Sequence, residues 1–127
     1  VATRRGVEWY DDSKGTNVGA TVAALRGLGK KVVLILGGEG KGQDFSPLRE
    51  PVRQFAAHVL LIGRDASLIS KVVPGEPCKS LEDAVARASQ VPAEAVLLSP
   101  ACASFDMFRD YRHRGEAFAA AVRRLAP

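Results

Sequence analysis

Lys31-Val32-Val33-Leu34-Ile35-Leu36-Gly37-Gly38-Glu39-Gly40-Lys41-Gly42 is the stretch on which the fold turns. Five consecutive apolar residues end at a glycine. A strand with one wet face alternates apolar and polar residues. A continuous run is what a strand buried on both faces of a parallel sheet requires. Residues 58–62, closed by Gly63, and residues 95–98 read the same way. Between these runs the apolar period changes to that of a helix. Val18, Val22, Leu25 and Leu28 predict a helix over 18–28, capped by Thr16 or Asn17 and left through Gly27 and Gly29.

The same reasoning extends to the rest of the chain. Residues 47–55 read as a helix with Ser46 as its cap and Pro47 in its first turn. Residues 66–73 read as a short helix, and Cys78 with Lys79 as a short strand. Ser80 caps a helix running to Ala88, with Asp83 completing a capping-box pattern. Two further helices are expected around 106–111 and over 115–125. At the start, residues 1–3 and 7–10 are β-prone and flank Arg5-Gly6, which suits a turn, so an N-terminal β-hairpin is expected. Buried strands alternating with helices define the class. It is an α/β, Rossmann-like three-layer domain with a mostly parallel sheet plus that hairpin.

Length and composition set bounds on this reading. The chain has 127 residues, 46% hydrophobic and 25% charged. That suits one domain, since domains cluster at roughly 100–150 residues. No linker, repeat or low-complexity tract divides it, so residues 1–127 are read as a single domain. No apolar run approaches a membrane span. There are 18 Lys+Arg against 14 Asp+Glu, a net charge of +4. The arginines gather at Arg4 and Arg5, along 109–114, and at Arg123 with Arg124, and read as solvated surface. They lack the density and interleaved aromatics of a nucleic-acid surface, so neither nucleic acid nor membrane is an expected partner. Small anions suit the charge. The chain starts at Val1 and its only methionine is Met107. It is therefore expected to be processed or cut from a longer protein.

In open parallel sheets, ligands bind beyond the carboxyl ends of the strands. Three polar loops fall there. Gly37 to Gly42 looks like a phosphate loop, but its spacing excludes both standard forms. A dinucleotide fingerprint needs glycine or alanine where Gln43 stands. A P-loop needs glycine at Ile35 and Ser or Thr at Gly42. What remains is a loop that brings the ammonium of Lys41 to the ligand edge, where it can hold a carboxylate or phosphate. Asp12-Ser13-Lys14-Gly15-Thr16-Asn17 enters a helix N-terminus, whose free N–H groups favour an anion. Thr16 adds a hydroxyl, Lys14 a charge, and Asp12 an acceptor for a ribose or for the loop itself. Leu98-Ser99-Pro100-Ala101-Cys102-Ala103-Ser104-Phe105-Asp106 is small enough for close approach of a ligand, and Ser104 offers a hydroxyl. Cys102 has no base nearby in sequence and reads as a buried structural residue. His58 and His113 have no evident catalytic partners and read as structural or solvated. No paired carboxylates or metal-ligand spacings stand out, so neither a catalytic residue nor a metal site is expected in this chain.

These three loops resemble, in order and spacing, the C-terminal domain of the Mur ligase family. The resemblance rests on Asp12 to Asn17, on Gly37 to Lys41 followed by Asp44-Phe45, and on Leu98 to Ser104 followed by Asp106 and Phe108. Arg114-Gly115 with Phe118 fits the family's late helix. Gly15 departs from the alanine common there. Sibling ligases carry an Asp-x-x-His/Asn-Asn-Pro type of loop where this chain has 12–17, which favours the D-glutamate-adding member. The resemblance implies an ATP-dependent, cytoplasmic ligase of bacterial peptidoglycan synthesis that adds D-glutamate to UDP-N-acetylmuramoyl-L-alanine through an acyl phosphate. It implies that Thr16, Lys41 and Ser104, with backbone near Phe105, hold D-glutamate, and that Tyr111 lines the pocket. It assigns Asp12 to the nucleotide ribose and Lys14 to the anions between ATP and amino acid. ATP and Mg2+ would act in the full-length enzyme. The P-loop, the magnesium ligands and the UDP-binding fold would belong to central and N-terminal domains of the same protein. This piece would then be inactive alone, with no cofactor bound. Two alternatives remain open: a stand-alone α/β module for a small anionic metabolite, and the same domain of a sibling Mur ligase.

Overall fold

The computed structural model describes residues 2–4, 6–40, 42–104 and 107–125. Six strands form one sheet in the order β1-β2-β6-β3-β4-β5. They are β1 (Ala2–Arg4), β2 (Val7–Asp11), β3 (Val32–Gly37), β4 (Ala56–Ile62), β5 (Glu76–Pro77) and β6 (Ala95–Leu98). β1 pairs antiparallel with β2, closing the expected hairpin, and every other pairing is parallel.

The continuous apolar runs behave as their composition requires. Val32 to Gly37 are buried at every position. Their side chains alternate between two cores. Val32, Leu34 and Leu36 pack with Val59, Leu61 and Leu97 beneath α1 (Val18–Leu28), α2 (Arg49–Phe55) and α3 (Ala66–Ser70). Val33 and Ile35 pack with Leu60, Ile62, Val96 and Leu98 beneath α4 (Leu81–Ala88) and α5 (Tyr111–Arg123). The result is three layers. Each fully buried Leu, Ile or Val contributes about 1.5–3 kcal/mol of transfer free energy, so this central ribbon is the main stabilising element.

The chain moves from β2 through β3 and β4 to β5 with its helices on one face. It returns to β6 with α4 on the other, as a single crossover hand demands. β6 therefore lies between β2 and β3, whose following helices are on the face opposite to α5. Loops leaving neighbouring strands toward opposite faces open the crevice in which such sheets bind ligands.

Several boundaries differ from the sequence expectation. The short strand is Glu76–Pro77, not Cys78-Lys79, because Leu60 and Leu61 pair there. Pro77 is tolerated since β5 is the outer strand, where a missing N–H costs no ladder bond. The Cys78 N–H still reaches the Leu61 carbonyl at 2.8 Å. β4 begins at Ala56, two residues before the apolar run. Ser46 does not cap a helix. It opens a 3-10 turn, Ser46–Leu48, and both its N–H and its hydroxyl donate to Asp44 at 2.9 Å. Pro51, lacking an N–H, sits in the first turn of the α2 that follows. The helix from Ala66 ends at Ser70 and gives way to turns.

Of the two expected late helices, only the second forms among the described residues, and it starts earlier, at Tyr111. α5 runs unbroken through Gly115, with Asp110 as its cap accepting from the His113 N–H. Gly115 faces the turn after β2, where an added Cβ would lie 2.8 Å from Asp11 Oδ2 and 3.0 Å from Ser13 Oγ. The glycine is there for close packing, not as a break. Residues 107–110 form turns in which the Met107 and Phe108 N–H groups donate to the Ser104 carbonyl. Asp106 lies outside the described residues. Among the described residues, no helix is long and apolar enough to cross a membrane.

Candidate functional site

The three polar loops meet at the carboxyl edge and are stitched to one another. The β6 loop lies in the middle. On one side the Asp12 N–H donates to the Leu98 carbonyl at 2.7 Å, and the Ala101 N–H to the Gly15 carbonyl at 2.8 Å. On the other, Glu39 and Ala103 exchange two backbone bonds at 2.9 Å, and the Gly37 N–H donates to the Pro100 carbonyl at 3.0 Å. These approaches require glycine. Gly37 and Gly38 have φ of 130° and 132°, and an added Cβ would meet Ile62 O at 1.9 Å and Ala103 O at 2.5 Å. Gly37 thus lets the end of β3 lie against Ile62 of β4, and Gly38 lets its loop lie against the β6 loop. The small residues of the β6 loop serve packing too: Ala101, Cys102, Ala103 and Ser104 are all buried. Cys102 is a buried residue as expected.

Side chains complete the stitching. The Ser99 hydroxyl donates to Asp12 Oδ2 at 2.7 Å, and the Thr21 hydroxyl donates to the Ser99 carbonyl at 3.0 Å. Gln43 spans two loops, accepting from the Val18 N–H at 3.0 Å and donating to the Ala101 carbonyl at 2.6 Å. Asp65, after β4, accepts from the Gly40 N–H at 2.7 Å and so holds the glycine-rich loop.

The anion site expected at the start of α1 is smaller than the sequence suggests. Asn17 is the cap and accepts from the Ala20 N–H at 2.9 Å. Gln43 occupies the Val18 N–H. Two of the first three helical donors are therefore satisfied within the protein, leaving the helix dipole and the nearby side chains.

Of the expected ligand residues, Asp12, Lys14 and Tyr111 come together. They line an open cavity of about 440 Å³ with Ser13 and Gly115. Lys14 is exposed, and Tyr111, the first residue of α5, is half-buried beneath the Arg112 guanidinium. Asp12 has committed one carboxylate oxygen to Ser99, so ordering the loop is part of its work. Thr16 is half-buried one residue beyond the Gly15–Ala101 bond, and Ser104 is buried one residue beyond the Ala103–Glu39 bridge. Neither lines that cavity. Lys41 and Phe105 lie outside the described residues.

The histidines stay away from this edge chemistry. His58 Nε2 is 3.0 Å from Glu76 Oε1, and Arg87 Nε donates to both oxygens of that carboxylate at 3.1 Å. These two partners, His58 first, hold the Glu76 carboxyl below the ordinary range. His113 Nδ1 accepts from the Arg109 N–H at the start of α5. Both are structural. Burial pushes the Cys78 thiol up, away from reactivity. A larger cavity of about 630 Å³ lies at the amino end of β4, opposite the loops.

One residue escaped the sequence reading. Arg114, taken there as part of a solvated arginine stretch, is 1% exposed and is among the largest fully buried side chains. Its guanidinium donates to the Ser13 carbonyl at 2.7 Å and to the Cys102 carbonyl at 2.9 Å. A signal was present. Arg114 stands in line with Phe118, Ala121 and Val122, the apolar face of α5.

A three-layer, mostly parallel sheet whose carboxyl-edge loops are stitched together around an open cleft defines a Rossmann-like α/β domain. Comparison with known proteins narrows the class: residues 1–102 match the Mur ligase, glutamate ligase domain. Two relatives named UDP-N-acetylmuramoylalanine–D-glutamate ligase illustrate the similarity. That of Bordetella pertussis is 63% identical over 94% of this chain and 25% of its own length. That of Cupriavidus pinatubonensis is 58% identical over 99% of this chain and 26% of its own length. The chain belongs to the Mur ligase family, as a glutamate ligase domain. It spans about a quarter of the length of these curated relatives.

Proposed function

We propose that this chain is the D-glutamate- and ATP-contacting domain of a ligase that adds D-glutamate to UDP-N-acetylmuramoyl-L-alanine in bacterial peptidoglycan synthesis. The single observation that carries the reading is the junction of the three family loops at the carboxyl edge of β2, β3 and β6. Asp12, Ser13, Lys14 and Tyr111 line one open cleft there, with Thr16 and Ser104 on the adjoining loops. In this reading residues 1–127 are one domain of a longer cytoplasmic polypeptide, whose central and N-terminal domains bind ATP and the UDP-sugar.

The reaction then runs in two steps. The γ-phosphoryl group of ATP passes to the L-alanine carboxylate oxygen, giving an acyl phosphate and ADP. The neutral amine of D-glutamate attacks the acyl carbon, the bond to phosphate breaks, and the amine loses a proton as the amide forms. The part of this domain is to bind and orient D-glutamate. Thr16, Ser104 and Lys41 hold its two carboxylates, with backbone near Phe105, and Tyr111 closes the side of the pocket. A dicarboxylate needs donors and a cation in fixed positions, and orientation of the amine is a large share of the rate. Lys14 offsets negative charge between ATP and amino acid, and the free oxygen of Asp12 accepts from the ribose. For magnesium, the described residues offer no cluster of three His, Cys, Asp or Glu, so no step involving it is placed on this chain.

Lys41→Ala in the longer protein tests the reading. The variant should lose roughly 10–100-fold in kcat/KM for D-glutamate, the range of a hydrogen bond to a charged group. KM for the UDP-sugar should stay within about twofold. Equal losses for both substrates would refute the assignment. Preference for another amino acid by the unsubstituted enzyme would point to a sibling ligase.

A further inference from the structure

Arg114 is an expensive residue for its position. Its charge is buried, which costs solvation unless geometry and hydrogen bonds compensate. It also lies in the first turn of α5, where the helix dipole disfavours a cation. A leucine or methionine would fill the space and continue the apolar stripe toward Phe118. The compensation visible is specific. The two terminal nitrogens of one guanidinium reach two carbonyls on different loops, Ser13 at 2.7 Å and Cys102 at 2.9 Å.

Those carbonyls are well placed. Ser13 lies between Asp12 and Lys14 and three residues before Thr16. Cys102 follows Ala101, whose φ is 64°, and precedes Ser104 by two. Ala101 also donates to the Gly15 carbonyl. The β2 loop and the β6 loop are therefore joined at Asp12, by the Leu98 carbonyl and the Ser99 hydroxyl, by the Gly15–Ala101 backbone bond near α1, and from the far side by the arginine fork of α5. Gly115, the next residue, lets α5 approach closely enough for the fork to reach.

We infer that Arg114 is a positioning residue: its planar fork sets the separation of the 12–17 and 99–104 loops, and through it the spacing of Thr16 and Ser104 in the D-glutamate site. This rests on the reading of those loops proposed above. A lysine carries the same charge but is a single point without the fork. It can reach one carbonyl and leaves the loops unlinked from this side.

The test uses the longer protein carrying Arg114→Lys and Arg114→Ala. Arg114→Lys should raise KM for D-glutamate about tenfold, with KM for ATP and UDP-sugar within about twofold. Guanidinium ion at millimolar concentration should restore part of the loss in Arg114→Ala and none in Lys41→Ala. A second arm does not depend on activity. Hydrogen exchange at the Ala101 N–H should accelerate in Arg114→Lys, while that of Leu34 in the sheet centre stays unchanged. An unaltered KM for D-glutamate in an enzyme that uses D-glutamate would overturn the positioning role. So would an Ala101 amide that exchanges at the wild-type rate. If the wild-type protein ignores D-glutamate, the proposed function fails, and the exchange measurement alone decides the role of Arg114.

Discussion

Ser99 is buried without solvent access, yet it keeps a hydroxyl at the end of β6. Its proton goes to Asp12 Oδ2, while its carbonyl accepts from Thr21. Hydrogen bonds to a charged acceptor contribute about 1.5–3 kcal/mol, and the half-exposed Asp12 puts this one at the lower end. Ser99→Ala should therefore cost about 1.5 kcal/mol in urea unfolding of the chain. A loss below about 0.5 kcal/mol would mean that water replaces the hydroxyl. Gly15 belongs to the same contact. An added Cβ would lie 2.8 Å from Asp12 Oδ2 and 2.9 Å from Ser99 Oγ. At this scale the sequence was partly legible. Asn17, Ser80 and Gly29 act at helix ends as their types suggest. The partners of Gln43 and Arg114 were opaque, because they lie 58 and 101 residues away and no local pattern encodes such a contact.

Elements were legible in proportion to the apolar surface they bury. β3, β4 and β6 carry continuous runs that only a two-sided burial accommodates, and α1 and α4 carry a clean helical period. β5 has no such signature. Its two residues are a glutamate and a proline, and it exists because β4 presents a paired edge at Leu60 and Leu61. What anchors this outer strand is its charge cluster, Glu76 with His58 and Arg87. The lowered Glu76 carboxyl gives that anchor a pH signature. A carboxylate whose folded pKa is depressed stabilises the protein above its unfolded value, about 4.3. The contribution falls away as pH drops through the lower folded value. Glu76→Gln should lower Tm at pH 7, and the gap from wild type should close below about pH 4. A gap that persists at low pH would mean packing, not charge, holds β5. The same physics explains α5. Its glycine reads as an end in sequence, but a packing demand from the β2 turn, a hundred residues earlier, puts it inside a helix.

For the whole molecule, the site is a set of loops on one edge of a sheet, open to water. Among the described residues, the cavity shared by Asp12, Lys14 and Tyr111 stands open. A carboxylate 4 Å from a lysine gains only about 1 kcal/mol in water, and several times that once solvent is excluded. The glycine-stitched loops fix where the donors stand without removing water from them. Binding strength should therefore come from a second domain closing over the edge, and the fold of this one supplies geometry rather than affinity. Isothermal titration of the 127-residue chain with D-glutamate should show a Kd weaker than about 1 mM, corresponding to less than about 4 kcal/mol. The longer protein, saturated with ATP and the UDP-sugar, should bind D-glutamate at least tenfold more tightly under the same conditions. The isolated chain should also release no phosphate from ATP when both other substrates are present. Submillimolar binding by the chain alone would show that its loops form a complete site. It would favour a self-sufficient module for a small anion over a domain whose site is finished by its neighbours.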